Sequence, residues 1–531
     1  MKNKKIISAG IVLIFCNGLS AVDCSLAKNS SRGMYFSKKQ YVPNDFPNYQ
    51  DIKDLLPEVI LTSDKELIDM YWFCWKTYFT KLKKPQKTSN FVSNFIDEAF
   101  SPQIFQWDTI FMTMFARYAH GIFPAINSLD NFYINQYKSG YICRELREKD
   151  GSDFVYKGRY NTINPPLFSW SEVETYKTTG DKSRFKMVLP VLEKYVEWLE
   201  LPGTMKDASG KNWEKNGRKA KDSVHHLYWN TPLGSGMDNT PIGEATMLVD
   251  MSCQMVMQYN DLAKICRELG YVEKAEKYEK LAKNIAKRIN KYCWNEKEGF
   301  YYDVDKDGKQ VKIKSIRAFW TMLAGVSSPE QNEKLVKHLK NPKEFWRKFI
   351  FPTLAADQKQ FQGHGGYWLG GVWAPTNYAV IKGLEKAGYE DFATESSLKY
   401  VNAMLEVYKK TGTVWENYAP DFFEKGQPAK KDFVGWTGVG PIALVIENIL
   451  GFRNDGAKGE VTWFVKRHDK HGIKRLQVGN ALVDIVAMAR ATKSESLKFN
   501  AKASKATKLV VINNGKKKTF YLTSDIKTFE F

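Results

Sequence analysis

Two carboxylates stand in short, bent loops that are rich in glycine, proline and aromatic residues. Asp238 lies in "GSGMDNTP" (234–241), and Glu416 lies in "GTVWENYAP" (412–420). Hydrolysis of a glycosidic bond needs such a pair, because one carboxylic acid protonates the leaving oxygen while a carboxylate activates water or attacks the sugar. Either acid alone would be explained more simply as a turn or N-cap residue. As a pair among aromatic loops, Asp238 and Glu416 become the candidate catalytic residues.

A third acid follows a tryptophan at the predicted start of a helix. "QWDTIFM" (106–112) places Trp107 beside Asp108. An aspartate here usually caps the helix, but it can also accept hydrogen bonds from sugar hydroxyls. "NPPLFSW" (164–170) places Asn164 before two prolines, which form a rigid turn at the mouth of another helix. We add these three residues to the candidate site as substrate-binding groups.

Two further loops carry tryptophan next to glycine. "GGYWLGGVWAPTNY" holds Trp368 and Trp373 on either side of Gly371, and "DFVGWTGVGP" holds Trp436. The simpler reading is a helix entry with tryptophans in the core. Because glycine lets a backbone approach a ligand closely, we favour a substrate wall. The candidate substrate-binding residues are therefore Trp107, Asp108, Asn164, Trp368, Gly371, Trp373 and Trp436.

The composition and the missing motifs exclude several other classes of protein. The chain has 531 residues and a formal net charge of +20, yet it has no long Lys/Arg cluster and no nucleic-acid-binding motif. We expect no nucleic-acid partner, and a preference for acidic glycans stays open. Phosphate-binding loops, dinucleotide fingerprints and serine-hydrolase elbows are absent. The adjacent His225 and His226 lack metal-ligand spacing, so we expect no cofactor and no metal.

The N-terminus is typical of a secretory signal peptide. Lysines precede an apolar run, and "LSA" at 19–21 resembles a cleavage site, so residues 1–21 are excluded from the fold. Lipid attachment at Cys24 is the weaker alternative, because Asp23 is a poor neighbour for it. No later run has 18 consecutive apolar residues, so no transmembrane segment is expected in the mature chain. We expect a secreted, periplasmic or cell-surface protein.

The cysteines show no CxxC pair and no dense disulfide framework. In a chain of this length they are more typical of buried or free thiols, although one bridge is possible. The spacing leaves the pairing open for Cys24, Cys74, Cys143, Cys253, Cys266 and Cys293.

Helical periodicity dominates residues 91–456. Apolar residues recur at spacings of three and four residues in 245–270 and again in 272–294. Gly270 ends the first of these segments, which predicts an antiparallel helix hairpin. Hairpins in series can close into a toroid, whose alternate connections lie on one face. The loops expected to converge on that face are 105–108, 160–170, 229–244, 361–376 and 412–437.

The two ends of the chain differ from the helical body. Residues 457–531 alternate apolar and polar residues around "GN" and "NNG" turns, which predicts a small antiparallel β domain. The lead-in, 22–90, has a mixed pattern and is expected to pack on the helical body.

Seven motifs together resemble glycoside hydrolase family 63 and its mannosylglycerate hydrolase-like relatives, with the family 37 trehalases as more distant cousins. The resemblance covers roughly residues 90–452. The motifs, in chain order, are "QWDTIFM", "SLDNFY", "NPPLFSW", "GSGMDNTP", "GGYWLGGVWAPTNY", "GTVWENYAP" and "DFVGWTGVGP".

The resemblance implies a mainly α fold, an (α/α)6 barrel, and an inverting mechanism on α-linked glucosides or mannosides. Matched motif by motif, Asp238 would be the general acid and Glu416 the general base. Trp107 and Asp108 would line the sugar subsite. Trp368 and Trp373 keep the five-residue spacing of the family's aromatic wall.

Three positions depart from the family pattern. Asn164 stands where some relatives carry Gln, and Met237 stands where several carry Gln, Trp or Leu. Ile242 stands where an Arg is frequent, which argues against recognition of an acidic aglycone such as glycerate.

The sequence therefore predicts a secreted, inverting, exo-acting α-glycosidase that acts on an oligosaccharide or glycan. Two alternatives stay open on the same scaffold. A sugar epimerase would want histidines in the mouth of the toroid, where the main motifs supply His364. A non-catalytic carbohydrate-binding protein would be favoured by loss of either acid, and both are present.

Overall fold

The computed structural model describes residues 32–98, 100–154, 163–200 and 221–531. The expected signal peptide, Cys24 and the start of the 160–170 loop lie outside the described residues.

The described residues form twelve α-helices, several 3-10 turns and fifteen strands. Ile316–Phe319 and Trp436–Val439 are 3-10 turns, and Gly440–Ile449 is a π-helix. The helices are α1 Tyr49–Ile52, α2 Lys65–Phe79, α3 Gln106–Ala116, α4 Asp130–Tyr133, α5 Phe168–Thr179, α6 Ser183–Glu200, α7 Val249–Glu268, α8 Val272–Tyr292, α9 Trp320–Ala324, α10 Pro329–Leu339, α11 Ala374–Lys386 and α12 Glu390–Thr411. The strands are β1 Glu58–Leu61, β2 Leu82–Lys83, β3 Phe95–Ile96, β4 Gln103–Phe105, β5 Glu145–Arg147, β6 Trp294–Asn295, β7 Phe300–Tyr301, β8 Phe452–Asp455, β9 Glu460–Phe464, β10 His471–Val478, β11 Ala481–Ala487, β12 Lys498–Ala503, β13 Thr507–Asn513, β14 Lys516–Leu522 and β15 Lys527–Glu530.

The apolar pattern of each helix decides its layer. All 11 residues of α3 and all ten of the π-helix are buried, so these helices are covered on every side. By contrast, α8 buries one stripe, Ala275, Tyr278, Ala282, Ile285 and Ile289, and exposes lysines and glutamates on its other face. A helix that is buried all round lies inside, whereas an amphipathic helix can cover it from outside.

The inner helices contact one another in a cyclic order. Helix α3 packs on α5, α5 on α7, α7 on α9, and α9 on α11. The turn Trp436–Val439, which leads into the π-helix, then contacts both α11 and α3. The outer elements α6, α8 and α12 pack on α5, α7 and α11, and α2 packs on the π-helix.

The predicted helix hairpin is present with small boundary errors, since 245–270 corresponds to α7 and 272–294 to α8. Helix α2 lies in the lead-in, where we predicted no element, and it buries an aromatic stripe that includes Trp75 and Tyr78. Between α3 and α5, residues 125–133 form a 3-10 turn, Ala125–Leu129, followed by the single turn of α4.

The C-terminal region is a pair of β-sheets. A five-stranded antiparallel sheet has the order β1–β10–β11–β12–β15, and a four-stranded sheet has the order β14–β13–β9–β8. Phenylalanines join the two sheets, as Phe520 of β14 lies 5.3 Å from Phe499 of β12, edge to face. The C-terminal strands therefore share one core.

Two details of these sheets differ from the sequence prediction. Strands β9 and β13 pair in parallel, whereas the other strand pairs in the two sheets are antiparallel. Strand β1, from the lead-in, pairs antiparallel with β10 in the register Glu58↔Lys474. The alternating pattern of β1 is too short to reveal a partner that lies so far along the chain.

Within the described residues no helix is long and apolar enough to cross a membrane. Five cysteines, Cys74, Cys143, Cys253, Cys266 and Cys293, are buried free thiols, as predicted.

A buried ion triad fixes the start of α7. Arg317 donates to Asp250 in the first turn of α7 and to Asp303, each at 3.1 Å, and its side chain is 2% exposed. Asp303 also accepts the backbone N–H of Val249 at 2.8 Å, which satisfies a donor at the helix N-terminus. Burial raises the pKa of Asp250 to about 6, against the opposing pull of Arg317.

Replacing Arg317 with Met should destabilise the fold by about 3–5 kcal/mol, because it leaves buried carboxylates without their cation. Urea unfolding measures this loss. Arg267→Met is the matched control on α7, since its pair with Glu279 is 47% and 36% exposed and should contribute about 1 kcal/mol or less. Equal losses for the two variants would contradict the role given to the triad.

Candidate active site

One cavity of about 480 Å³ opens among the loops that connect the inner helices. The expected loops contribute to it, and so do the antiparallel strands β4 and β5 and the segment before β4. Seven of the nine sequence-predicted site residues border this cavity. They are Trp107, Asp108, Asn164, Asp238, Trp368, Glu416 and Trp436.

The loop that carries Asp238 is tied to the Trp368 loop by one amide. Asn239 accepts a hydrogen bond from the Trp368 backbone N–H at 2.8 Å and donates to the Gly366 carbonyl at 3.1 Å. Asp238 itself is exposed at the cavity edge, where the Tyr367 hydroxyl donates to its carboxylate. Tyr367 has a φ of 65°, a left-handed conformation that is costly for a bulky residue and recurs at functional sites.

Close packing explains the glycines on the other side of Asp238. Gly236 has a φ of +78°, and a Cβ added there would lie 2.8 Å from the Trp107 ring. Asn164 joins the same two segments, donating to the Gly234 carbonyl at 3.1 Å and accepting from the Trp107 backbone N–H at 3.3 Å. Asn164 therefore borders the cavity and also joins two of its walls.

Glu416 is held deeper, at 4% exposure. Its Oε2 accepts the backbone N–H of Lys430 at 3.1 Å, and its carbonyl accepts the indole N–H of Trp436 at 3.0 Å. Burial raises the pKa of Glu416 to about 7; the positive charge of Lys430 opposes this shift and the negative charge of Asp238 adds to it. This carboxyl can therefore exchange a proton near neutral pH.

Lys430 is a cavity residue that the sequence analysis missed. Its ammonium lies 3.2 Å from the centre of the Phe100 ring, within cation–π range. Burial lowers the pKa of Lys430, while the carboxylates of the site, Glu416 first, raise it. One lysine in a lysine-rich chain carries no signal in sequence, and its role follows from the fold alone.

Two further carboxyl groups lie at the site. Glu145 of β5 borders the cavity, and burial raises its pKa to about 7 against the pull of Arg144. Asp108 is 6% exposed in the first turn of α3, and burial raises its pKa well above the usual range. Its carboxyl forms a hydrogen bond with Glu98, which lies behind it. Neither Glu98 nor Glu145 lies in a loop motif of glycine and tryptophan that would have singled it out.

The predicted wall of Trp368, Gly371 and Trp373 is corrected in two of its three members. Trp368 borders the cavity, and Trp373 stacks behind it with ring centres 3.8 Å apart and planes 5° apart. Trp373 is wholly buried and contacts Trp436 edge to face at 5.6 Å. A Cβ on Gly371 would lie 2.1 Å from the Tyr367 carbonyl, so this glycine serves backbone packing. Gly371 and Trp373 therefore support the wall from behind.

His364 does not border the cavity. It stacks on Phe422 with ring centres 4.3 Å apart. His364, the histidine that the main motifs would supply to an epimerase, thus packs on Phe422 and does not line the cavity.

Asp238, which is exposed, and Glu416, which is buried, line one cavity with indole rings. Two such acids can protonate a leaving oxygen and activate water, and the rings can seat a sugar. This combination defines the site of a glycoside hydrolase. The sequence profile described as "Mannosylglycerate hydrolase MGH1-like glycoside hydrolase domain" matches residues 106–437, and the chain belongs to this family. The resemblance inferred from the seven motifs is confirmed.

Individual relatives share only modest sequence identity with this chain. An uncharacterized protein of Borreliella burgdorferi is 27% identical over 80% of this chain and 88% of its own length. The probable mannosyl-oligosaccharide glucosidase of Schizosaccharomyces pombe is 24% identical over 48% of this chain, and the match spans 33% of that relative. The GH63 mannosylglycerate hydrolase from Thermus thermophilus, solved in complex with glucose, shares the fold with a TM-score of 0.55 and 16% identity, over 70% of this chain and 99% of that chain.

The contact between Gly236 and Trp107 gives a test with an internal control. Gly236→Ala should lose about 1–2 kcal/mol of stability from left-handed strain and should also displace Trp107. Gly270→Ala has the same strain, at φ +81°, with nothing within 4 Å of the added Cβ. Unfolding free energies and tryptophan fluorescence compare the two variants. Equal effects would mean that the loop does not need close approach at Gly236.

Proposed function

We propose that this protein is an inverting, exo-acting α-glycosidase that hydrolyses an α-linked glucoside or mannoside of an oligosaccharide or glycan. The observation that carries the proposal is the meeting of Asp238 and Glu416, from loops far apart in sequence, at one cavity with Trp107 and Trp368. Each of the four side chains matches a need of glycoside hydrolysis: an acid, a base and aromatic faces for a sugar ring.

The fold in this proposal is an (α/α)6 barrel. The cyclic contacts from α3 through α11 and the turn Trp436–Val439 back to α3 support it. So does the outer cover of amphipathic helices such as α8. In this arrangement the cavity lies at the end of the barrel where the long loops meet.

In the proposed reaction Asp238 is the general acid. Its exposed carboxyl gives a proton to the glycosidic oxygen as the bond from that oxygen to the anomeric carbon breaks. The deprotonated Glu416 takes a proton from water while the water oxygen bonds to the anomeric carbon from the opposite face, which inverts the configuration. Tyr367 holds the Asp238 carboxyl in place through its hydrogen bond.

The exo mode follows from accessibility. Glu416 is 4% exposed and Asp108 is 6% exposed, so a sugar must enter the cavity to reach them. The end of a glycan can do this more readily than the middle of a chain. We place the enzyme outside the cytoplasm on the strength of the signal-like residues 1–21.

The sugar is proposed from relatives and from the site. The Schizosaccharomyces pombe relative is named a mannosyl-oligosaccharide glucosidase and the Thermus structure a mannosylglycerate hydrolase, so glucosides and mannosides are both candidates. Ile242 lies on the loop after Asp238 and offers no charge to an acidic aglycone. A neutral glycan is therefore the preferred substrate class.

Proton NMR of the products tests the proposal directly. The purified protein is incubated with α-glucosides and α-mannosides, including kojibiose, nigerose, trehalose and mannosylglycerate, and the first anomer is read before mutarotation. Release of a β-anomer from an α-linked sugar is the expected result. Release of the α-anomer would refute inversion, and no release from the panel would count against this substrate class.

Glu416→Gln separates catalysis by the site from contaminating activity. The amide keeps the shape of the side chain but accepts no proton, so turnover should fall by about 10²–10⁴-fold. Glu424→Gln, an exposed change in the same loop, should leave the rate unchanged. Near-native turnover by the Glu416 variant would show that another group is the base.

The pH profile should report the carboxyl of Glu416. Its pKa is about 7, so kcat/KM should rise as pH increases through 7 and the base loses its proton. Lys430→Met removes the positive charge that lowers this pKa, and the acid limb should move to higher pH. Lys425→Met, an exposed lysine over Trp415, is the control and should leave the limb in place. A limb that moves to lower pH in the Lys430 variant would contradict the assignment.

A further inference from the structure

A buried carboxyl group lies directly behind the cavity wall, at Glu98. Its side chain is 3% exposed, and among the described residues neither of its oxygens accepts a hydrogen bond from another residue's amide, hydroxyl or cationic group. A charged carboxylate in such a place would lose several kcal/mol of hydration without replacement. Glu98 therefore needs a proton or a partner that the ordinary donors do not supply.

The loop of Trp436 closes over Glu98 from one side. A Cβ added to Gly435 would lie 2.4 Å from the Glu98 Cγ, so the backbone passes in direct contact with this side chain. The next residue, Trp436, borders the cavity. Close packing fixes the position of the carboxyl and leaves no space beside it for water on the Gly435 side.

The partner of Glu98 is a second carboxyl, that of Asp108. The two side chains are within hydrogen-bond contact, and such a contact between carboxyl groups requires a proton on one of them. Asp108 lies in the first turn of α3, where the positive end of the helix dipole favours negative charge. Glu98 has no such helix terminus, so the proton belongs on Glu98 and the charge on Asp108.

We propose that Glu98 is a positioning residue that stays a neutral carboxylic acid and donates a hydrogen bond to Asp108, which leaves Asp108 a fixed acceptor for a sugar hydroxyl. The proton on Glu98 is a property of the protein alone. The role of Asp108 toward a sugar hydroxyl rests on the proposed function.

The other charged groups around the pair are consistent with one shared proton. Asp97 faces Glu98 with its own charge compensated by Lys83 at 2.7 Å. Lys430 feels both members of the pair, but its largest interaction is with Glu416. Asp238 and Glu145 face Asp108 and add negative charge. Burial and these neighbours raise the pKa of Glu98 and of Asp108 well above their usual ranges.

Infrared difference spectroscopy tests the proton on Glu98 without any substrate. At pH 8 the spectrum of the wild type minus that of Glu98→Gln should show the C=O stretch of a carboxylic acid, which is distinct from carboxylate bands. Glu416→Gln is the control: the pKa of Glu416 is about 7, so this change should remove mainly carboxylate absorption at pH 8. No acid band in the Glu98 difference would overturn the proposal. An acid band lost in Asp108→Asn but kept in Glu98→Gln would place the proton on Asp108 and also overturn it.

Activity then tests the positioning role, using the α-linked disaccharide that the product panel identifies. Glu98→Met removes the donor, keeps much of the volume, and should lower kcat/KM by about tenfold or more through loss of one charge-assisted hydrogen bond. Glu98→Gln keeps an N–H donor and should restore most of that loss. Equal rates for the two variants, with both folded by circular dichroism, would refute the role. If the protein cleaves nothing in the panel, the proposed function fails while the infrared result stands by itself.

Discussion

The burial of the inner helices is the constraint from which the rest of the structure follows. Every residue of helix α3 and of the π-helix is buried, so neighbours cover each of them on all sides. Amphipathic helices such as α8 supply that cover. With the flanks closed, the ends of the inner helices become the place where chain can loop out, and the long connections gather there.

Burial also explains the electrostatics of the cavity. The same apolar surroundings that stabilise the helices remove water from Glu416, Glu145 and Asp108, and the pKa of each rises. Amide side chains then hold the loops at fixed distances: Asn164 joins the walls of Trp107 and Gly234, and Asn239 joins the loops of Asp238 and Trp368. Reactive acids and rigid walls are thus two results of one packing arrangement.

The sequence predicted the helices and the motif residues better than it predicted the residues that pack behind the motif residues or pair with them. Asp238 and Glu416 could be singled out because glycine, proline and aromatic residues mark their loops, and the structure brings both to one cavity. Lys430 and Glu98 could not be singled out, since the role of an ionisable residue depends on the groups that surround it in the folded structure. The spacing of Trp368 and Trp373 suggested two faces of one wall, but stacking at 3.8 Å makes one of them the backing of the other.

The pairing of β1 with β10 has a consequence for how the chain reaches its native state. Glu58 meets Lys474 across 416 positions, so a strand made early has no partner until β10 has been synthesised. Closing so long a loop is entropically costly, and contacts of this range slow folding. Strand β10 therefore joins the lead-in to the C-terminal sheets. A nascent chain cannot complete this sheet, or the packing of the lead-in against it, before strand β10 has been made.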